Sequence, residues 1–185
     1  MGHLLDTVPN HMGVDDPGNL WWRDVLEHGL ASAYANTFDI EWSPADPQTG
    51  HRVLLPILGD HYGKVLEDGE LQLRFDSQAG RFFVAYWDRT FPIDPRSYPT
   101  LLGAAALPIT AAESTSHDDV AAVHSLLDSF AQLPPQDTPD AAARAARLRD
   151  TKLHQQRLAD LAEGLPWVRD WIDANLRHVN GTPGA

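Results

Sequence analysis

No cysteine occurs among the 185 residues, which excludes disulfides, thiolate nucleophiles and cysteine-based zinc or iron sites. Long apolar runs are missing too: none approaches the roughly 18–20 residues that span a bilayer. No basic region followed by an apolar segment opens the chain as a secretion signal, so a cytoplasmic location is expected. Asn180-Gly181-Thr182 then reads as a chance match to the glycosylation pattern. Basic residues are few, 14 against 26 acidic ones, for a net charge of −12. Such a surface repels phosphate backbones and anionic lipid, so neither nucleic acid nor a membrane is an expected partner. The phosphate-binding loops GxGxxG and GxxxxGK(S/T) do not occur, nor does the GxSxG elbow of serine hydrolases. Nine histidines are present, yet none falls in an HExxH-type pair.

What is present argues for one folded domain: 43% apolar residues and six tryptophans. Leu4-Leu5-Asp6-Thr7-Val8-Pro9-Asn10-His11-Met12 reads as a short buried strand that runs out at a proline into polar residues. Asn19 caps an expected helix over 20–28, with Trp22, Val25, Leu26 and Trp21 as its inward stripe and Gly29 closing it. Phe38-Asp39-Ile40-Glu41-Trp42 alternates like a short strand, and Arg52 to Leu58 reads as another with Pro56 at an edge or bulge. The clearest hairpin joins Leu71, Leu73 and Phe75 to a strand from Arg81 to Trp87 through Ser77–Gly80.

Past Tyr98 the pattern turns helical. Ser116 and Asp119 resemble a capping box before a stripe of Val120, Val123, Leu126 or Leu127, and Phe130. Pro134-Pro135 stops that helix, and Thr138-Pro139 starts one reaching Gly164, with Pro139 in its first turn. Its apolar positions Leu148, Leu153, Leu158 and Leu161 predict a thin buried face. Pro166 opens a third helix with Trp167, Val168, Trp171, Ile172 and Leu176 inward, before a turn over Asn180–Gly184. The expected fold class is α+β: one barrel-type strand end, a small antiparallel sheet with a hairpin, and several α-helices.

Asp6, Asn10 and His11 at one strand end suit a ligand site, while Asp and Asn bonding their own backbone in a turn is the plainer alternative. Trp21, Trp22, Tyr34, Trp42 and Tyr62 are amphipathic plates on which sugars stack, although most aromatics at such spacing fill cores. His11 with Asp15 and Asp16 offers a weaker reading, a cation site serving a metal-dependent hydrolase; no metal or other cofactor is expected.

Leu5-Asp6-Thr7-Val8-Pro9-Asn10-His11 resembles the first signature region of the α-amylase superfamily, D-x-V-x-N-H at the end of the third barrel strand. Met12-Gly13-Val14, Trp21 to Glu27, Phe38-Asp39-Ile40 and Leu54 to Gly63 extend the likeness, and it then resembles the maltooligosyltrehalose synthase family. Tyr86-Trp87-Asp88, Phe91-Pro92-Ile93, Pro95 to Tyr98 and Asn180 to Gly184 continue it. The resemblance implies an isomerase that moves the reducing-end α-1,4 bond of a maltooligosaccharide to α,α-1,1, leaving a trehalose terminus. It implies a retaining mechanism with two carboxylates about 5–5.5 Å apart, and both belong to later barrel strands. The chain is thus expected to be an internal segment, inactive alone. Residues 1–13 end a barrel strand, 14–98 form a mixed part of the insertion domain, and 99–185 are helical, returning towards the barrel.

On the resemblance His11 bonds the glucose hydroxyl beside the scissile bond, Asp6 supports the catalytic floor and Asn10 the loop. Thr7 stands where Ile or Val is usual. His61 and Tyr62 are added as further sugar contacts, and a maltooligosaccharide is the expected partner. The alternative is an autonomous carbohydrate-binding or structural module.

Overall fold

The computed structural model describes residues 14, 18–42, 55–103 and 116–181. Asp6, Asn10 and His11, Asp15 and Asp16, and the strand over 52–54 lie outside them. Among the described residues six α-helices surround one three-stranded antiparallel sheet, which is the α+β class expected.

Helix α1, Leu20–His28, begins where Asn19 Oδ1 accepts the Trp22 amide at 3.0 Å. It stops at Gly29, which takes φ +57, and a 3-10 turn over Gly29–Ala31 follows. Two strand expectations do not hold over the residues described, for one reason, local bonding. The Ile40 amide bonds Phe38 O at 3.0 Å and the Trp42 indole reaches back to Ala35 O, so 38–42 folds on itself instead of extending. The Ile57 amide bonds Leu55 O in the same way, and 55–58 forms no strand. A short helix absent from the expectations, α2 at Tyr62–Glu67, follows and buries Val65.

The hairpin forms as read. Strand β1, Leu71–Asp76, pairs with β2, Arg81–Tyr86, placing Leu73 opposite Val84 and Phe75 opposite Phe82. Asp76 Oδ1 accepts the Gln78 and Ala79 amides in the turn, and Gly80 takes φ +63. A third strand, β3 at Arg89–Pro92, was not expected; Trp87-Asp88 is the two-residue turn into it. Trp87 sits at φ +53, a region that costs an L-residue about 1–2 kcal/mol.

One face of the sheet carries Leu73, Phe75, Phe82 and Val84 into the core. There Phe82 meets Tyr98 edge-on at 4.9 Å, and Tyr98 meets Phe130 at 4.9 Å. Helices α3, Tyr98–Leu102, and α4, His117–Ala131, supply Leu102, Val123, Leu126 and Phe130. Ser116 caps α4 through the Asp118 amide. Helix α5, Ala141–Gly164, is capped by Asp140, whose carboxylate takes the Ala142 and Ala143 amides, so Pro139 precedes the helix and is not in its first turn. Helix α6, Pro166–Asn180, buries Val168, Trp171, Ile172 and Asn175. Its last residue clamps the sheet edge: the Asn180 side chain accepts the Leu73 amide at 2.7 Å and donates to Leu73 O at 3.0 Å. Among the described residues no helix is long and apolar enough to cross a membrane.

Candidate functional site

The buried face of α5 keeps only part of the thin leucine stripe that its apolar positions suggest: Leu158 is buried and Leu161 packs on the core. Leu153 is exposed, and Arg147, Thr151 and Gln155, four residues apart on one helix face, point inward instead. Opposite them α1 turns in Glu27 and His28, while Trp21 points outward. A buried charge must be paired or it neutralises: Glu27 is met by Gln155 and Arg81, and Arg147 by Asp94, whereas the Thr151 hydroxyl has no hydrogen-bond partner.

Arg147, 0% exposed, donates to Pro134 O at 2.6 Å, to the Glu27 carbonyl at 3.3 Å and to Asp94 Oδ1 at 2.6 Å. The Glu27 carboxylate receives Gln155 Nε2 at 2.5 Å on one oxygen and faces Arg81 Nη1 at 3.5 Å with the other. Arg81 Nε donates to Gln155 Oε1 at 3.2 Å. Gln136 Nε2 donates to Glu27 O at 2.8 Å. The network therefore ties α1, the hairpin, the 94–97 turn and α5 together. Tyr98 joins it, taking the Phe82 amide on its hydroxyl at 3.1 Å, and burial pushes its phenol well above the usual range.

A cavity of about 550 Å³ opens beside this network, between α1 and the face of the sheet turned away from the core. Arg23, Asp24, Glu27 and His28 line one wall, and Asp76, Arg81 and Thr90 the other. Asp24 holds the Ser32 hydroxyl directly, and that oxygen also accepts the Tyr34 amide. Ser32 is thus engaged in the turn that follows α1. Carboxylates, guanidinium groups and a hydroxyl around an open cavity can hold the hydroxyls of a polar, uncharged ligand. Among the described residues no three metal-ligating side chains converge.

His28 Nδ1 is buried without a hydrogen-bond partner, and Nε2 lies 3.9 Å from Glu27 Oε2. Burial holds the imidazole below its ordinary 6.5; Glu27 and Asp24 oppose the shift, and Arg147 and Arg81 add to it. The unfolded chain then binds a proton near pH 6.5 and the folded one only at lower pH. Stability is full above 6.5 and falls as pH drops towards the folded value. His154, lowered by its own burial, adds in the same direction. Urea midpoints should accordingly be level from pH 8 to 7 and decline below 6.5, with His28→Gln reducing the decline. An undiminished slope in that variant would remove His28 from the account.

Of the expected sugar contacts, His61 and Tyr62 stand at the start of α2, and neither lines this cavity. Tyr62 is 64% exposed. Beside it Asp60 accepts Lys64 Nζ at 2.6 Å, a bond that holds the carboxyl below its usual range. The five aromatic plates separate by role. Trp22 packs into the fold against Phe38 and Trp42 bonds backbone, whereas Trp21 stacks parallel on Tyr34 at 5.0 Å with its other face open. Glu27 and Arg147 escape a reading that looks for apolar periodicity, and nothing in their spacing marks them as buried.

No family model matches the chain, and no solved structure matches it. Over 60 residues it is 50% identical to two proteins of Mycobacterium tuberculosis, from strains CDC 1551/Oshkosh and ATCC 25618/H37Rv, each named "Putative maltooligosyl trehalose synthase". The match takes in 32% of this chain and 7% of the length of each relative. The chain is therefore similar, across a third of its residues, to a small part of proteins bearing that name.

Proposed function

We propose that the chain is a segment of a maltooligosyltrehalose synthase and forms one wall of its sugar-binding cleft. The stretch of 50% identity to proteins so named carries the reading, and the Asp6-Thr7-Val8-Pro9-Asn10-His11 motif supports it. The reaction rearranges a reducing-end α-1,4 bond to α,α-1,1 by retention, through a covalent glucosyl-enzyme, with water kept away so that the turned glucose captures it. His11 bonds the glucose hydroxyl beside the scissile bond, with Asp6 beneath it and Asn10 shaping the loop, and His61 and Tyr62 extend the contact. On the resemblance the family's nucleophile and acid/base belong to later barrel strands, so the covalent route is not available to this segment alone. The divisions at 13/14 and 98/99 belong to this reading.

Calorimetry with maltopentaose should detect binding that His11→Ala weakens about tenfold, the loss of roughly one good hydrogen bond. Incubation should yield no trehalose-terminated product. Binding indifferent to His11→Ala would sink the cleft-wall reading, and trehalose-terminated product would sink the inactivity of the segment. An autonomous carbohydrate-binding or structural module is a second reading, favoured by a core that joins the hairpin to α3, α4, α5 and α6.

A further inference from the structure

Trp87 is 76% exposed, so its indole adds little to the core, yet it occupies a positive-φ turn position that glycine or asparagine takes at lower cost. A large aromatic kept where the backbone disfavours it points to use of the ring itself. The ring is also held: its Nε1–H donates to Glu70 Oε2 at 3.3 Å, and Tyr86 meets it edge-on at 6.5 Å. A groove of about 300 Å³ runs beside it along the sheet, lined by Glu70, Gln72, Arg74 and Ala85. Gln72 and Ala85 are cross-strand partners, and Arg74 Nη2 donates to Gln72 Oε1 at 3.2 Å, so the floor is ordered. The same sheet face carries the 550 Å³ cavity further along, where Arg81 and Thr90 contribute.

We propose that this groove is a surface binding site for a neutral glucan chain, one that does not depend on His11. A pyranose has a flat C–H face that stacks on an indole and a rim of hydroxyls that both donate and accept. Glu70 accepts from that rim, Arg74 donates to it, and Gln72 does both. The opposed charges of Glu70 and Arg74 suit an uncharged polyol better than an anion or a cation. An open groove on a sheet surface admits a run of sugars and does not enclose one. The α-1,4 linkage rests on the function proposed above, whereas the site rests on Trp87 and its neighbours.

The test is a nitrogen–proton correlation spectrum of the full chain titrated with maltoheptaose, and separately with cellohexaose. The Trp87 indole resonance is identified by its loss in Trp87→Gly, a change that relieves the turn. Maltoheptaose should shift the Trp87 indole and the Gln72 and Ala85 amides saturably. Read at those amides, affinity should fall about tenfold in Trp87→Gly, the scale of a lost stacking contact, and also fall in Arg74→Ala, where the ring remains. The groove shifts should persist in His11→Ala. Groove shifts without His11-dependent binding would support this site and fail the cleft-wall reading. His11-dependent binding with a silent Trp87 indole would overturn the site alone, and a response to cellohexaose but not maltoheptaose would overturn the α-glucan assignment.

Discussion

Replacing Arg147 with alanine is expected to cost the fold about 3–5 kcal/mol, the range for removing one partner of a buried ion pair. The guanidinium is wholly enclosed and bonds Asp94 and the carbonyls of Pro134 and Glu27. Alanine takes the guanidinium donor from the Pro134 carbonyl, leaves Glu27 O with Gln136 Nε2 alone, and opens a void the length of the side chain. Asp94 keeps contact with water, since its side chain is partly exposed, so most of the loss falls on the Pro134 carbonyl and the cavity. Arg147→Met restores volume without the donors and should lose less. Urea unfolding of the two variants checks this: a loss under about 1 kcal/mol for Arg147→Ala would mean that water enters and satisfies the site.

Gly80→Ala should be nearly as damaging through the backbone alone. A Cβ at this position would lie 1.9 Å from Gln155 O and 2.7 Å from the carbonyl carbon behind it. Those atoms belong to the helix backbone and cannot rotate aside. The positive φ adds its own penalty of about 1–2 kcal/mol, and overpacking typically adds about 1–3 kcal/mol. The hairpin turn must therefore lift from α5, weakening the bonds of Arg81 to Gln155 and Glu27 that depend on their closeness. Thermal melting should show a loss of about 2–5 kcal/mol, accompanied by a change in the Arg81 side-chain resonance. A Gly80→Ala protein with the native melting temperature would contradict the contact.

Both substitutions strike the seam where α5 meets the hairpin and α1, the part of the fold least legible in the sequence. The hairpin, α1 with its Asn19 cap, α4 and α6 follow from period, caps and prolines, because each buries apolar residues at the spacing that such a reading counts. Beside Leu158, Ala159 and Ala162, the inner face of α5 carries Arg147, Thr151 and Gln155, which count as polar and therefore as outward. Partners elsewhere in the fold hold Arg147 and Gln155 inward, and no local pattern reveals those that lie 120 and 128 residues away. Strand β3 was hidden by its four-residue length, its proline and a turn built on Trp87 in place of glycine. Alternation over 38–42 points to a strand, but among the described residues it has no pairing neighbour, and local turns take its hydrogen bonds. Of the sugar contacts, Asp6, Asn10 and His11 are legible only as a motif, and Trp87 was noticed as part of a likeness and not as an exposed plate.

The Asn180 clamp on Leu73 bears on the order in which the molecule is assembled. Strand β1 is an outer strand, and an uncovered strand edge invites pairing with another chain. The amide that blocks it stands 107 residues further along. At roughly 5–20 residues per second of synthesis, that edge is made some 5–20 s before the side chain that closes it. Throughout that interval the nascent hairpin is open to a neighbouring nascent chain, so Asn180 acts as a late seal whose arrival ends the period of greatest exposure to aggregation.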